Sequence, residues 1–277
     1  MPPVPPASTG VAWLRATVGR FSMGSGARMS GFAALHRTGE PLVLPNVWDV
    51  ASARFLVEVG FAALGTTSLG VAATNGLPDG ARATGAETLA LVLAALPAHL
   101  TVDIETGSVA TAVAVAEAGA VGVNVEDAMG PAAEHAALIR SVKREAPGLF
   151  VNARTDTHWQ RNGDLAEAVS RIRRYADAGA DGVFVPGLAE PADIAAVVAA
   201  VDVPVNILFL PDRHTVAALA ELGVRRISTG SLLFRAALAA VVDTATAVRD
   251  GRTVRPDLPS YARVNVGSGE RVAGDVP

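Results

Sequence analysis

From residue 41 onward the chain alternates between short apolar or β-branched runs and longer alanine-rich stretches of helical period. The runs fall near 42–47, 62–66, 100–104, 121–125, 150–154, 182–185, 203–207 and 225–228. The helical stretches fall near 50–59, 86–96, 109–118, 132–145, 164–178, 191–200, 214–222 and 231–249. Runs that are apolar throughout suit strands buried on both faces, which means parallel strands covered by helices. Eight such units predict an α/β fold, a closed (β/α)8 TIM barrel rather than an open doubly wound sheet. The turns Gly179-Ala180-Asp181-Gly182 and Leu222-Gly223-Val224 put a glycine where a helix has to stop before a strand. Residues 1–28, rich in Pro, Gly and Ser and free of acids, read as a mobile N-terminal extension, with Met29 a candidate natural start. The barrel spans 29–250, and 251–277 read as a polar C-terminal tail.

Composition removes several function classes. The net charge of −4 leaves no basic patch for nucleic acid. With no cysteine, disulfides, thiolate metal sites and a cysteine nucleophile are all excluded. Lys143, beside Arg144 in a polar helix, is the sole lysine, so there is neither a P-loop triplet nor a credible Schiff-base site. No apolar run approaches the roughly 18 residues of a membrane span, and no signal-peptide core is visible, so the expected location is cytoplasmic.

In such a barrel the reactive groups stand at the C-terminal ends of the strands. There the sequence places Asn46 and Asp49 after the first strand, and Thr66, Thr67, Ser68 and then Asp79 after the second. Asp103 and Glu105 follow the third, Asn124, Glu126 and Asp127 the fourth, and Asn152, Arg154 and Asp156 the fifth. Asn206 lies on the seventh, and Ser228-Thr229-Gly230-Ser231 close the eighth; the opposite rim is mostly Gly, Ala and Pro. On a strand of period two, Asp103 and Glu105 point to one face, where their repulsion calls for a cation. Oxygen ligands without Cys or convergent His select Mg2+ or Mn2+. Arg154 offers a planar fork for a substrate carboxylate, so metal and arginine together describe a site for a small oxo- or hydroxy-acid.

Plainer readings compete. Asp103 and Glu105 also suit solvated strand ends, and Asp127 an N-cap for the helix near 131. Asp79, between Pro78 and Gly80, suits a turn. Arg154 also suits a structural neutraliser of Glu126 or Asp156, and Thr66, Thr67 and Ser68 suit helix caps. His135, in the first turn of a helix, reads as a surface histidine, and the other histidines share no spacing.

The segments LPNVWDVASAR, GTTSLG, GLPDG, VDIETG, GVNVED, VNARTD, ADGVFVPG and STGSLLFRAAL, in this order from about Pro41 to Arg249, resemble the isocitrate lyase/phosphoenolpyruvate mutase superfamily. The resemblance implies a (β/α)8 barrel whose C-terminal helix is swapped between subunits, in a homotetramer or homodimer. It also implies Mg2+ chelating an α-oxo-acid or its enolate. It makes Asp103, Glu105 and Glu126 the metal-site acids, and Asp79 the acid that contacts the metal's water shell or the substrate. Arg154 becomes the carboxylate-binding arginine, joined by Thr67 and Ser68, and Asn206 falls where some members bind substrate. Members that cleave isocitrate or methylisocitrate carry a Lys-Arg-Cys-Gly-His loop after the fourth strand, and the mutases a Lys and an Asn there. This chain has EDAMGPAAEHAALIR, which resembles the short-loop branch.

The function expected is therefore a Mg2+-dependent lyase or decarboxylase acting at a C–C bond beside an α-oxo-carboxylate. Arg154, Asp79 and Glu126 serve as its catalytic residues and Asp103 among its substrate contacts. Protonation is assigned to metal-bound water or to His135 swinging in. The alternatives are C–P chemistry on phosphonopyruvate or phosphoenolpyruvate, and a non-catalytic oxo-acid-binding barrel.

Overall fold

The computed structural model describes residues 31–37, 39–80, 85–94, 96–160 and 163–265. The expected N-terminal extension, 1–28, lies outside the described residues. Every strand except β1, which runs through Pro45 into β2, is followed by a helix. The chain runs β1 (Leu42–Leu44), β2 (Asn46–Val47), α1 (Val50–Glu58), β3 (Ala63–Thr66), α2 (Ser68–Thr74), α3 (Gly85–Leu93), β4 (His99–Asp103), α4 (Val109–Ala118), β5 (Gly122–Glu126) and α5 (Ala132–Glu145). It continues with β6 (Phe150–Arg154), α6 (Leu165–Asp177), β7 (Gly182–Phe184), α7 (Pro191–Ala199), β8 (Val205–Leu208), α8 (Val216–Glu221), β9 (Arg226–Ser228), α9 (Leu232–Arg249) and α10 (Tyr261–Val264).

Among the described residues the sheet order is β1-β9-β8-β7-β6-β5-β4-β3-β2, parallel throughout. Its two ends are consecutive in the chain. Pro45 has no N–H to give to a ladder, so one predicted strand is recorded as two pieces. The first piece pairs with β9 and the second with β3, which closes the ring. The expected (β/α)8 barrel is the observed fold.

Helix boundaries follow local chemistry. Asp49, Ser108, Asp164 and Thr215 each accept a backbone N–H three residues on, at the N-termini of α1, α4, α6 and α8. Gly179 and Gly223 take φ of 98° and 86°, conformations that end α6 and α8 without a Cβ penalty. Outside the ring, Val102, Val123, Val125 and Val151 pack against α4 and α5, while Val183, Val205, Ile207 and Ile227 pack against α6, α7 and α8. Each such buried side chain is worth about 1.5–3 kcal/mol, which makes this shell the main stabilising layer. Lys143 bonds Asp181 at 2.7 Å, and Asp181 in turn accepts the Val151 N–H, so the lone lysine ties α5 to the strands structurally.

The interior differs from the usual stack of branched aliphatics. Register and strand stagger place Ala63, Gly122, Gly182 and Arg226 in one layer, with Leu44, Thr101, Asn152 and Asn206 above it. Gly65, Asn124, Phe184 and Ser228 form the next layer, and Asn46, Asp103, Arg154 and Leu208 the one nearest the C-terminal mouth. The other end is stoppered. Residues 31–35 are helical, Phe32 meets Phe150 edge-on at 5.3 Å, and His36 stacks on Phe150 at 4.6 Å. Within the segment read as a polar tail, α10 returns to the body, where Arg263 pairs with Glu58 and lies over Phe55.

Candidate active site

Strand β4 delivers Asp103 to the mouth of the barrel, where the Asp103 N–H donates to Thr66 Oγ1 at 2.8 Å. Its carboxylate then turns the chain, with Oδ1 accepting the Glu105 N–H at 2.9 Å. A strand of period two continuing past Asp103 would put Asp103 and Glu105 on one face. That expectation fails in detail, because β4 stops at Asp103 and Glu105 stands in a turn at φ 54°. A non-glycine residue in this region costs about 1 kcal/mol or more, a strain that collects at functional sites. The Glu105 carbonyl still accepts from Glu126 N–H at 2.9 Å, so the turn is anchored to β5.

Arg154, at the end of β6, is the centre of the cluster. Its Nη1 lies 2.8 Å from Glu126 Oε2 and 4.0 Å from Asp103 Oδ2, while Nε lies 2.6 Å from Asp156 Oδ1. Burial pushes the carboxyls of Asp103, Glu126 and Asp156 upward against the opposing pull of Arg154. Glu126 reaches about 8, with Asp103, Asp156 and Glu105 adding to the effect of burial. One guanidinium does not neutralise this ring. Asp79, in an exposed turn after α2, adds its charge to Asp103 from the rim.

Thr67 occupies the N-cap position of α2 but makes no capping bond with its side chain, and Ser68 follows it at the helix start. Thr66 caps no helix with its side chain, since its hydroxyl accepts the Asp103 N–H. Asn206 stands apart from the rim group. It is fully buried in the interior, in register with Arg226, and neither amide atom has a protein partner. The structure thus gathers Asp103, Glu126 and Arg154 tightly, with Glu105 in the adjoining turn, Thr67 and Ser68 after the end of neighbouring β3, Asp79 at the rim, and Asn206 deeper.

Two expectations are corrected. Asp127 does not cap α5, whose N-cap is Pro131. Its carboxylate instead accepts from Arg171 at 2.9 Å, Tyr175 at 2.7 Å, Met129 N–H at 3.0 Å and Asp156 N–H at 3.1 Å. Although burial opposes it, these bonds hold the carboxyl below the usual range. His135 is not a surface histidine. It is 7% exposed and meets the Tyr175 ring at 4.6 Å, and burial pushes it down to about 4. A neutral ring wedged between α5 and α6 is no proton carrier for the mouth.

The residues fit a hard divalent ion on donor chemistry: carboxylate oxygens in excess of local positive charge, without sulfur. Among the described residues, no three acidic or histidine side chains group tightly enough to form a complete metal cage. Mg2+ does not require one, because it keeps several waters and takes one or two carboxylates directly.

The sequence places Asp127 at a strand end but does not reveal its Arg171–Tyr175 clamp, nor Arg226 in the barrel interior. The alternation Arg226, Ile227, Ser228 carried a signal, because an arginine in phase with an inward serine must also point inward.

Comparisons with known proteins agree with the geometry. Residues 32–249 match the family model described as phosphoenolpyruvate phosphomutase. An uncharacterized protein of Mycobacterium tuberculosis is 44% identical over 245 residues, covering 84% of this chain and 94% of that one. The oxaloacetate decarboxylase of Pseudomonas savastanoi pv. phaseolicola is 29% identical over 239 residues, covering 76% and 81%. The structure of oxaloacetate acetylhydrolase in complex with the product oxalate superposes with a TM-score of 0.77 at 27% identity, covering 86% of this chain and 93% of that one.

Proposed function

The chain belongs to the isocitrate lyase/phosphoenolpyruvate mutase superfamily, and from that premise we propose a Mg2+-dependent lyase that breaks or forms a C–C bond beside an α-oxo-carboxylate. Its simplest form is decarboxylation of an oxaloacetate-like acid. The observation that carries this reading is the ring of buried carboxylates around a single guanidinium at the barrel mouth, with Glu126 pushed up to about 8. Acids that burial holds protonated give up their protons only to a counter-charge, which a dication bound with its anionic substrate supplies.

Asp103, Glu105 and Glu126 are the residues that would hold Mg2+ (or Mn2+), with Asp79 supporting them from the rim. When bound, the ion supplies Lewis-acid charge to offset the negative charge that builds on the oxo-acid as the neighbouring bond breaks. Arg154 orients the substrate carboxylate. The described ion pairs engage its Nε and Nη1, which leaves Nη2 for the ligand. Thr67, with no capping duty, and Ser68 complete that grip. The β5–α5 connection runs only from Asp127 to Pro131. It carries no lysine, asparagine or cysteine and is too short for a lid, which favours decarboxylation, the reaction least dependent on a loop-borne acid.

Calorimetry with Mg2+ and oxalate, followed by a panel of oxo-acids assayed for pyruvate or glyoxylate release, tests the proposal. Turnover with at least one oxo-acid is expected, together with its loss and weakened metal binding in Asp103→Ala. Full turnover and unchanged metal affinity in that variant refute it. C–P chemistry is the second reading, favoured by the description of the matching family model. Phosphorus NMR with phosphonopyruvate separates the two. Mg2+-oxalate binding with no turnover at all is the signature of a non-catalytic oxo-acid barrel.

The working protein is a homotetramer or homodimer in the cytoplasm. Self-association is supported by Leu238, Val241 and Val242, which expose apolar surface along α9, the helix that the family resemblance swaps between subunits. No helix of the described residues is long and apolar enough to cross a membrane.

A further inference from the structure

Arg226 lies inside the barrel. Its Nη2 donates to Asn124 Oδ1 at 3.2 Å, and β9 and β5 stand on opposite sides of the ring, so the side chain crosses the lumen. It is 1% exposed, and its Nε and Nη1 have no protein partner. The layer it springs from is otherwise Ala63, Gly122 and Gly182. A Cβ on Gly182 would come within 3.0 Å of Asn152 Oδ1, and one on Gly122 within 3.1 Å of Thr101 Oγ1. Small residues here keep the lumen open for the long side chain.

The groups flanking the guanidinium are amides and an imidazole, and the charge of Asp103 reaches it from above. Asn124 receives Asn152 Nδ2 as well as Arg226, and Asn206 sits beside Arg226 in register with its amide unpartnered. Below, His36 is held neutral by burial and by the charge of Arg226 itself, its pKa pushed down to about 3. Burial pulls Arg226 to about 9, opposed by Asp103, so it stays charged at neutral pH. Buried charges are normally paired with an opposite charge. This one is hydrogen-bonded to an amide only, so its field extends to the Asp103 layer and the mouth above it.

We propose that Arg226 is a fixed cationic floor beneath the oxo-acid site, a positioning residue that repels a metal ion arriving alone and favours the metal together with an organic anion. The inference rests on the Mg2+–oxo-acid reading of the mouth and deepens it by making binding of the two ligands mutually dependent. A bare dication feels the guanidinium as repulsion, whereas a carboxylate-bearing ligand feels attraction in a low-dielectric lumen. Asp103 stands between them.

Calorimetry on the full chain tests this with two titrations, Mg2+ alone and oxalate into the Mg2+-loaded protein. In Arg226→Met, Mg2+ alone should bind about tenfold tighter and oxalate about tenfold weaker. Structural damage would weaken both, so the opposite signs carry the test. Asn206→Asp places a carboxylate beside the guanidinium and should reproduce the Arg226→Met pattern, and it decides the matter if the methionine variant does not fold. Parallel weakening, or no change, in the folded variants overturns the cationic floor while leaving the Mg2+–oxo-acid reading intact. Failure of the wild type to bind Mg2+ and oxalate overturns both.

Discussion

Arg154 has three ion-pair partners in two fixed directions, Glu126 and Asp103 through Nη1 and Asp156 through Nε. A lysine can satisfy one of those directions but not both. Arg154→Lys is therefore expected to lower oxalate affinity in the presence of Mg2+ by at least about tenfold, the scale of one lost charge-assisted hydrogen bond. Calorimetry measures it, and an unchanged affinity would return Arg154 to a structural role. Asp127 poses a different question, since it lies next to Glu126 yet its carboxylate is taken up by Arg171, Tyr175 and two backbone N–H groups. Tyr175→Phe removes one of its donors and should cost about 1–2 kcal/mol in urea unfolding, with the m-value unchanged. Asp103, Glu105, Glu126 and Arg154 were readable from the sequence because strand ends in a barrel converge on one mouth. Asp127 was not. Its role depends on Arg171 and Tyr175, which lie more than forty residues further along the chain.

The strand–helix alternation carried the barrel, because apolar runs and helical periodicity are local and each unit repeats them. Two features of the elements escaped for physical reasons. Pro45 divides one strand only through the hydrogen bond it cannot make, while its neighbours keep a strand-like pattern. Glu105 leaves the strand through a left-handed turn that is read from Asp103 accepting its N–H, not from residue type. Helix α9 shows the same gap between pattern and surface. Its first turn is anchored by Phe234 against Trp48 at 5.2 Å, whereas Leu238, Val241 and Val242 further along remain exposed at helical spacing. If those residues bury against another copy, Val241→Glu should dissociate the oligomer by desolvating a charge in an apolar contact. Sedimentation velocity reads the result, and an unshifted distribution would remove α9 from the interface.

At the scale of the whole molecule, the mouth trades stability for binding, and pH exposes the trade. Glu126 titrates near 8 in the fold but near 4.5 in the unfolded chain, and Asp103 and Asp156 shift in the same direction. Across this window the folded state therefore holds more protons than the unfolded state, and stability falls as pH rises. The buried histidines act in the opposite sense. His36 and His135 are pushed down to about 3 and 4, so their contribution is complete above about pH 6.5 and is lost only in acid. Between about pH 7 and pH 8 the carboxylates govern the slope, which can approach about 1.4 kcal/mol per pH unit for each proton held. Metal-free protein should thus lose urea resistance over that interval, and Glu126→Gln, with nothing to titrate there, should lose much less. A dication competes with those protons, so Mg2+ should bind more tightly at pH 8 than at pH 6.5 and flatten the wild-type slope. Urea titrations at the two pH values, with chelator and with excess Mg2+, measure all three effects. A stability that rises with pH in the chelated wild type would mean that the ring of acids is not held protonated by burial, and the case for a dication at the mouth would lose its electrostatic basis.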